Sequence, residues 1–234
     1  MIQAAIFDMD GLLVDSEPHW RAVEIGIFDT VGLHLTDDQC KLTTGLPTDA
    51  VIEYWFSRHP WDESIRTRTE IGAAIIAGAH EQIGLKAEPM PGALAVLRFF
   101  HERGIPMAIA SASPMPLIEV VIDRMGIRSL LTTWHSATLE PRNKPAPDVY
   151  LGAARKLGVE PKHCLAFEDS GNGLKSAHAA GMITVAVPAD FERDDPKFQI
   201  ADLVLSSLVN CETQLLKRYD GGAARTIAIR HEPS

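Results

Sequence analysis

Short apolar runs separated by helical patterns constrain the fold of this chain more than any other feature. Candidate strands are Ala4–Phe7, Met107–Ala110, Thr132–Ser136, Cys164–Phe167, Thr184–Val187 and Leu203–Leu205. Most are apolar throughout rather than alternating, as expected of strands covered on both faces. Helical signals fill the gaps. Pro91 opens one helix, Leu94 and Leu97 give its stripe, and Gly104 follows its end. A second runs from about Ala146 to Leu157 and stops at Gly158. A third starts near Ser170, a natural N-cap, and stops at Gly181. This alternation predicts an α/β fold built on a doubly wound parallel sheet.

One segment breaks the alternation. From Ser16 to about Lys86 no strand pattern occurs. Trp20, Val23, Ile27, Phe28 and Val31 form a helical stripe, Val51, Ile52, Trp55 and Phe56 another, and Ile65, Ile71, Ile75, Ile76 and Ile83 a looser third. So long a stretch between two strands exceeds an ordinary crossover and predicts an inserted all-helical cap. The expected division is a core of residues 1–15 and 88–220, a cap of residues 16–87 and a loosely ordered tail at 221–234. Hinges are expected at Leu12–Glu17 and Ala87–Pro91.

Composition narrows the partners. The chain has 234 residues and a formal charge of −9, from 22 Lys and Arg against 31 Asp and Glu. No clustered basic footprint speaks for nucleic acid. The longest uncharged apolar run, Ile71 to Ala79, is far short of the ~20 residues that cross a bilayer. Cys40, Cys164 and Cys211 are scattered and suggest neither a disulfide frame nor a zinc site. The start of the chain lacks the basic and apolar regions of a signal peptide. These features predict a cytoplasmic protein with no membrane contact and no obligate protein partner. A small anionic ligand stays open, provided that a local positive site receives it.

Four segments carry chemistry. Phe7-Asp8-Met9-Asp10-Gly11 closes the first apolar strand, and the carboxyl ends of strands are where open α/β sheets bind ligands. Asp and Gly also suit a plain turn. Phe167-Glu168-Asp169-Ser170 closes another buried strand. If the two strands are central, Asp8, Asp10, Glu168 and Asp169 converge, and such a group calls for a hard divalent ion, most naturally Mg²⁺. Asp169 and Ser170 also suit a helix cap, and the two roles are compatible. Ser111-Ala112-Ser113 and Asn143-Lys144-Pro145 offer a hydroxyl, backbone amides and an ammonium group, the donors that phosphoryl oxygens require. Taken alone, Ser111 is an ordinary turn residue and Lys144 an ordinary solvated charge.

Together these segments resemble the haloacid dehalogenase superfamily. The resemblance rests on Asp8-Met9-Asp10-Gly11-Leu12-Leu13-Val14-Asp15-Ser16-Glu17, Ser111-Ala112-Ser113, Lys144-Pro145-Ala146-Pro147-Asp148 and Glu168-Asp169-Ser170, in the family's order. It implies a Rossmann-like core, and the helical insertion is similar to the cap of the β-phosphoglucomutase-like subgroup. By this resemblance Asp8 is the nucleophile that forms an aspartyl-phosphate, and Asp10 is the general acid and then the base. Ser111, Ala112 and Lys144 hold the phosphoryl group. Mg²⁺ is bound by Asp8, the Asp10 backbone carbonyl, Asp169 and Glu168, the last directly or through water.

The resemblance also separates the branches. Dehalogenases lack the second acid, which here is Asp10. Mutases carry a histidine where Trp20 stands, and cations in the loop that here reads Thr44-Gly45-Leu46-Pro47-Thr48. Their absence favours hydrolysis over phosphomutase activity, with phosphoglycolate-type hydrolysis as a further branch. A catalytically inactive regulatory protein of this fold would be expected to lose one of these acids or Lys144. Asp15-Ser16-Glu17-Pro18 and Tyr54-Trp55-Phe56-Ser57-Arg58-His59-Pro60-Trp61 are similar to bacterial hexitol and 2-deoxyglucose-6-phosphate phosphatases. The expected substrate is a sugar or polyol monophosphate, with Trp20, Gly45, Leu46 and Thr48 as cap contacts. Trp55 and Trp61 suit the cap core, His19 suits substrate or solvent equally, and Arg58 suits solvent better than substrate.

Overall fold

Each apolar run becomes a strand, with ends displaced by at most one residue. The computed structural model describes residues 2–219, so the expected tail lies outside the described residues. The strands are β1 (Ala4–Phe7), β2 (Met107–Ser111), β3 (Thr133–Ser136), β4 (Cys164–Glu168), β5 (Ile183–Ala186) and β6 (Leu203–Val204). They form one parallel sheet in the order β3-β2-β1-β4-β5-β6. Chain order reverses beside β1, and that reversal opens a crevice at the carboxyl ends of β1 and β4. Two strands run one residue past the expected end. Ser111 pairs with Ser136, and Glu168 with Ala186, so the ladder itself holds two of the singled-out side chains.

The two faces of the sheet are built differently. One carries large side chains, among them Phe7, Met107, Ile109, Leu165 and Phe167, under α5 (Ala93–Glu102) and α6 (Met115–Met125). Phe7 and Phe167 stack there with ring centroids 4.6 Å apart. The other carries Ala4, Ala108, Ala110 and Ala166 under α7 (Asp148–Leu157) and α8 (Gly171–Ala179). Alternation along each strand sends consecutive side chains to opposite faces, and the small face lets α7 and α8 approach closely. Helix α7 starts two residues after the expected Ala146, beyond Pro145 and Pro147.

Between β1 and β2 stand α1 (Glu17–Asp29), α2 (Asp37–Cys40), α3 (Thr48–Arg58) and α4 (Arg68–Lys86). They enclose a hydrophobic cluster of their own, including Phe28, Val51, Ile52, Trp55, Trp61, Ile71 and Ile75. Trp55 and Trp61 are buried in it, as expected of core aromatics. Ile65 is a correction: it precedes α4 and is 68% exposed, because the chain between Trp61 and Thr67 is a turn outside the stripe. Helix α4 leaves the cap cluster midway. Its Ala79 and Ile83 join the large-residue cluster of the core beside α6. The two connections into the cap lie side by side, with Asp15 N–H donating to the Glu88 carbonyl and Met90 N–H to the Leu13 carbonyl, each at 2.9 Å.

Candidate active site

Asp8 is the first residue past β1, and its N–H donates to the Phe167 carbonyl of β4 at 3.0 Å. That bond ties the end of one central strand to the other. Asp8, Glu168 and Asp169 then present carboxylate oxygens all within 4.8 Å of one another. Lys144 lies beneath them, and its ammonium donates to Asp8 Oδ1 and Glu168 Oε1, each at 2.6 Å. The Tyr150 hydroxyl donates to the same Glu168 oxygen at 2.6 Å, and the Ser170 hydroxyl to Glu168 Oε2 at 3.1 Å. Gly173 makes room for this arrangement: a Cβ there would overlap the Glu168 carboxylate. Ser170 caps α8 by accepting from Gly173 N–H at 3.0 Å, so helix capping and cluster geometry share one residue.

The electrostatics call for a cation. One ammonium faces three carboxylates, of which Asp8 and Glu168 are buried and Asp169 is half-buried. Burial, with Glu168 and Asp10 adding to it, raises the Asp8 pKa to about 8 against the pull of Lys144. Burial, followed by Asp8 and Glu168, holds Asp169 well above the usual carboxylate range. Burial works against the Lys144 charge, but Asp8 and Glu168 outweigh it and keep the ammonium firmly protonated. Asp169 Oδ1 is buried without a hydrogen-bond partner. An orphaned oxygen in a set of hard oxygen donors fits a divalent ion such as Mg²⁺. The Asp10 carboxylate is not part of this cluster, so of the four acids expected to converge the structure gathers Asp8, Glu168 and Asp169.

Asp10 is held apart by donors of its own. The Ser16 hydroxyl and the Trp20 indole N–H donate to Oδ1, at 2.6 and 3.1 Å. The Ser113 hydroxyl donates to Oδ2 at 2.8 Å, and the Ser111 hydroxyl lies 3.4 Å from the same oxygen. Ser113 is positioned in turn by β3, because the Ser136 hydroxyl donates to its carbonyl at 2.6 Å. Asp10 is thus fixed from the core by Ser113 and from the start of the cap by Ser16 and Trp20.

A cavity of about 100 Å³ lies between core and cap. Asp8, Asp10, Ser111, Ala112, Lys144 and Asp169 line its floor. Trp20, Gly45, Leu46 and Thr48 all line its roof, while His19 and Arg58 do not. Arg58 instead stacks on Tyr54, 3.7 Å from the ring centre. Glu168 lies behind the floor, fully buried. Sequence reasoning missed Glu17, Arg21 and Glu24 as roof residues, and Ser113 and Tyr150 as support. For Glu24 a signal existed: it falls four residues after Trp20 and four before Phe28, inside the apolar stripe of α1.

Comparison with known proteins agrees with this geometry. Residues 2–181 match the family model of the haloacid dehalogenase-like hydrolases. Hexitol phosphatase B of Escherichia coli (strain K12) is 39% identical over 208 residues, covering 88% of this chain and 93% of that protein. The fructose-1-phosphate phosphatase YqaB of the same strain is 31% identical over 186 residues, covering 78% and 94%. The crystal structure of CbbY from Rhodobacter sphaeroides in complex with phosphate superposes with a TM-score of 0.81 at 25% identity, covering 89% of this chain and 96% of that one. The paired acids, the lysine and the capped parallel sheet stand in a chain that belongs to the haloacid dehalogenase-like hydrolases.

Proposed function

We propose that the protein is a Mg²⁺-dependent phosphatase that hydrolyses sugar or polyol monophosphates through an aspartyl-phosphate on Asp8. One observation carries this reading. The two acids of the first motif face one cavity in different settings, Asp8 against an ammonium and Asp10 in a cradle of hydroxyl and indole donors. In this scheme an Asp8 carboxylate oxygen forms the bond to phosphorus while the ester P–O bond breaks, and Asp10 delivers a proton to the departing alkoxide. Asp10 then takes a proton from the water that attacks phosphorus, and the Asp8 carboxylate leaves. Ser111, the amides around Ala112 and Lys144 hold the phosphoryl oxygens. Asp8, Glu168, Asp169 and the Asp10 carbonyl would hold Mg²⁺, which supplies positive charge where phosphate meets carboxylate.

Relatives that hydrolyse hexitol phosphates and fructose 1-phosphate support the substrate class. A cytoplasmic location fits the three cysteines, which are free and buried. No helix among the described residues is long and apolar enough to cross a membrane. Phosphate release from a panel of sugar and polyol phosphates, with and without Mg²⁺, tests the proposal. Metal-dependent release that Asp8→Asn abolishes is expected, and Asp10→Asn should slow it roughly 10²–10⁴-fold. Release without added metal in chelator, or an active Asp8→Asn, would overturn it.

A further inference from the structure

The roof contains a charged group that the chemistry above leaves unused. Glu24 is only 8% exposed and lines the cavity, although it sits in the apolar stripe of α1. The Cys40 thiol of α2 neighbours its carboxylate and also lines the cavity. Glu17, two turns earlier on the same helix, also lines the cavity beside Thr44. Arg21 is the basic side chain on the cap side of the cavity, and it is already engaged. Its guanidinium donates to Asp37 at 2.7 Å and lies 3.7 Å from Glu17. Across the cavity from its floor, then, stand two carboxylates, and the one nearby cation, Arg21, is already shared between Glu17 and Asp37.

Such a surface discriminates by charge. A buried carboxylate lacks the hydrogen bonds that water would give it, and the hydroxyls of a polyol can supply them. A second phosphate or a carboxylate on the substrate would instead meet like charge, with Arg21 and Lys144 already paired to carboxylates of this chain, and that penalty rejects it. We propose that Glu24, with Glu17, reads the hydroxyls of an uncharged polyol and bars a second anionic group, so the substrate is the monophosphate of a neutral polyhydroxy alcohol. This rests on the phosphatase reading and names the residue that sets its specificity.

The test compares substrates that differ in charge alone. A hexitol 6-phosphate is set against the aldonate 6-phosphate, in which a carboxylate replaces the terminal CH₂OH, and against the hexitol 1,6-bisphosphate. Assays run at about pH 8 with saturating Mg²⁺. Wild type is expected to favour the hexitol ester over both esters that carry a second anionic group by at least roughly tenfold in kcat/KM. Glu24→Gln should lower that ratio several-fold, mainly by raising KM for the hexitol ester and lowering it for the aldonate ester. Glu17→Gln is a second variant should Glu24→Gln fail to fold, a point that circular dichroism decides. Equal use of hexitol and aldonate esters by wild type, or unchanged ratios in both folded variants, would overturn the specificity inference and leave the phosphatase reading intact. No phosphate release from any ester would overturn both.

Discussion

Glu24 burdens the folded state in a way that depends on pH. Burial, and then the charge of Glu17, raises its pKa from 4.5 to about 7, while Cys40 and Arg21 pull the other way. Between these values the folded protein keeps a proton that the unfolded chain has lost. Stability therefore falls as pH rises from about 4.5 to about 7, and stays low above that. Glu24→Gln removes the titration. We expect the variant to be more stable than wild type at about pH 8 by of order 2 kcal/mol, with the difference vanishing towards about pH 5. Denaturant unfolding at the two pH values measures this, and a variant that gains nothing at the higher pH would contradict it. A side chain that weakens the fold above about pH 7, yet lines the cavity, is the pattern of a group kept for function.

At the level of elements, α8 shows how packing reverses a propensity. Alanine in place of glycine inside a helix is ordinarily favourable by about 1 kcal/mol. At Gly173 the added Cβ would overlap the Glu168 carboxylate, which Lys144, Tyr150 and Ser170 hold in place. Gly173→Ala is therefore expected to displace Glu168, raise the Mg²⁺ concentration needed for half-maximal activity and slow phosphate release. Its far-UV spectrum should remain that of wild type. Unchanged Mg²⁺ dependence would show that Glu168 has no part in binding the ion. The strands teach a related lesson. Ser111 and Glu168 are the last ladder residues of β2 and β4, so the sheet's hydrogen bonds fix their backbones while their side chains reach the crevice.

Across the whole molecule, folding gathers acids that are distant in sequence. Asp8 and Lys144 are paired 136 residues apart, and Ser113 reaches Asp10 across 103. A divalent ion that binds this folded cluster and not the unfolded chain must stabilise the fold. At a hundredfold excess over its dissociation constant the gain is about 2.7 kcal/mol. For a chain of this size that corresponds to a melting temperature higher by roughly 5–10 °C. Calorimetry with Mg²⁺ and then with a chelator checks this, and the rise should largely disappear in Asp169→Asn. The cap belongs to the same unit. Helix α4 carries side chains into both the cap cluster and the core cluster, and Trp20 packs against both while its indole holds Asp10.

The sequence by itself determined the six strands, the helical insertion and the four motif segments, because hydrophobic period, caps and strand-end acids are written locally along the chain. Even where it erred, at Ile65, the stripe was right and only its first member was misplaced. Tertiary structure alone decided which residues meet. The order of the strands brings Asp8 against Glu168, and no local pattern encodes that order. The docking of α1 over the crevice turns Glu17, Arg21 and Glu24 towards the cavity, and the closeness of α8 to β4 makes Gly173 part of the carboxylate site. These are contacts between distant segments, set by packing of the whole chain.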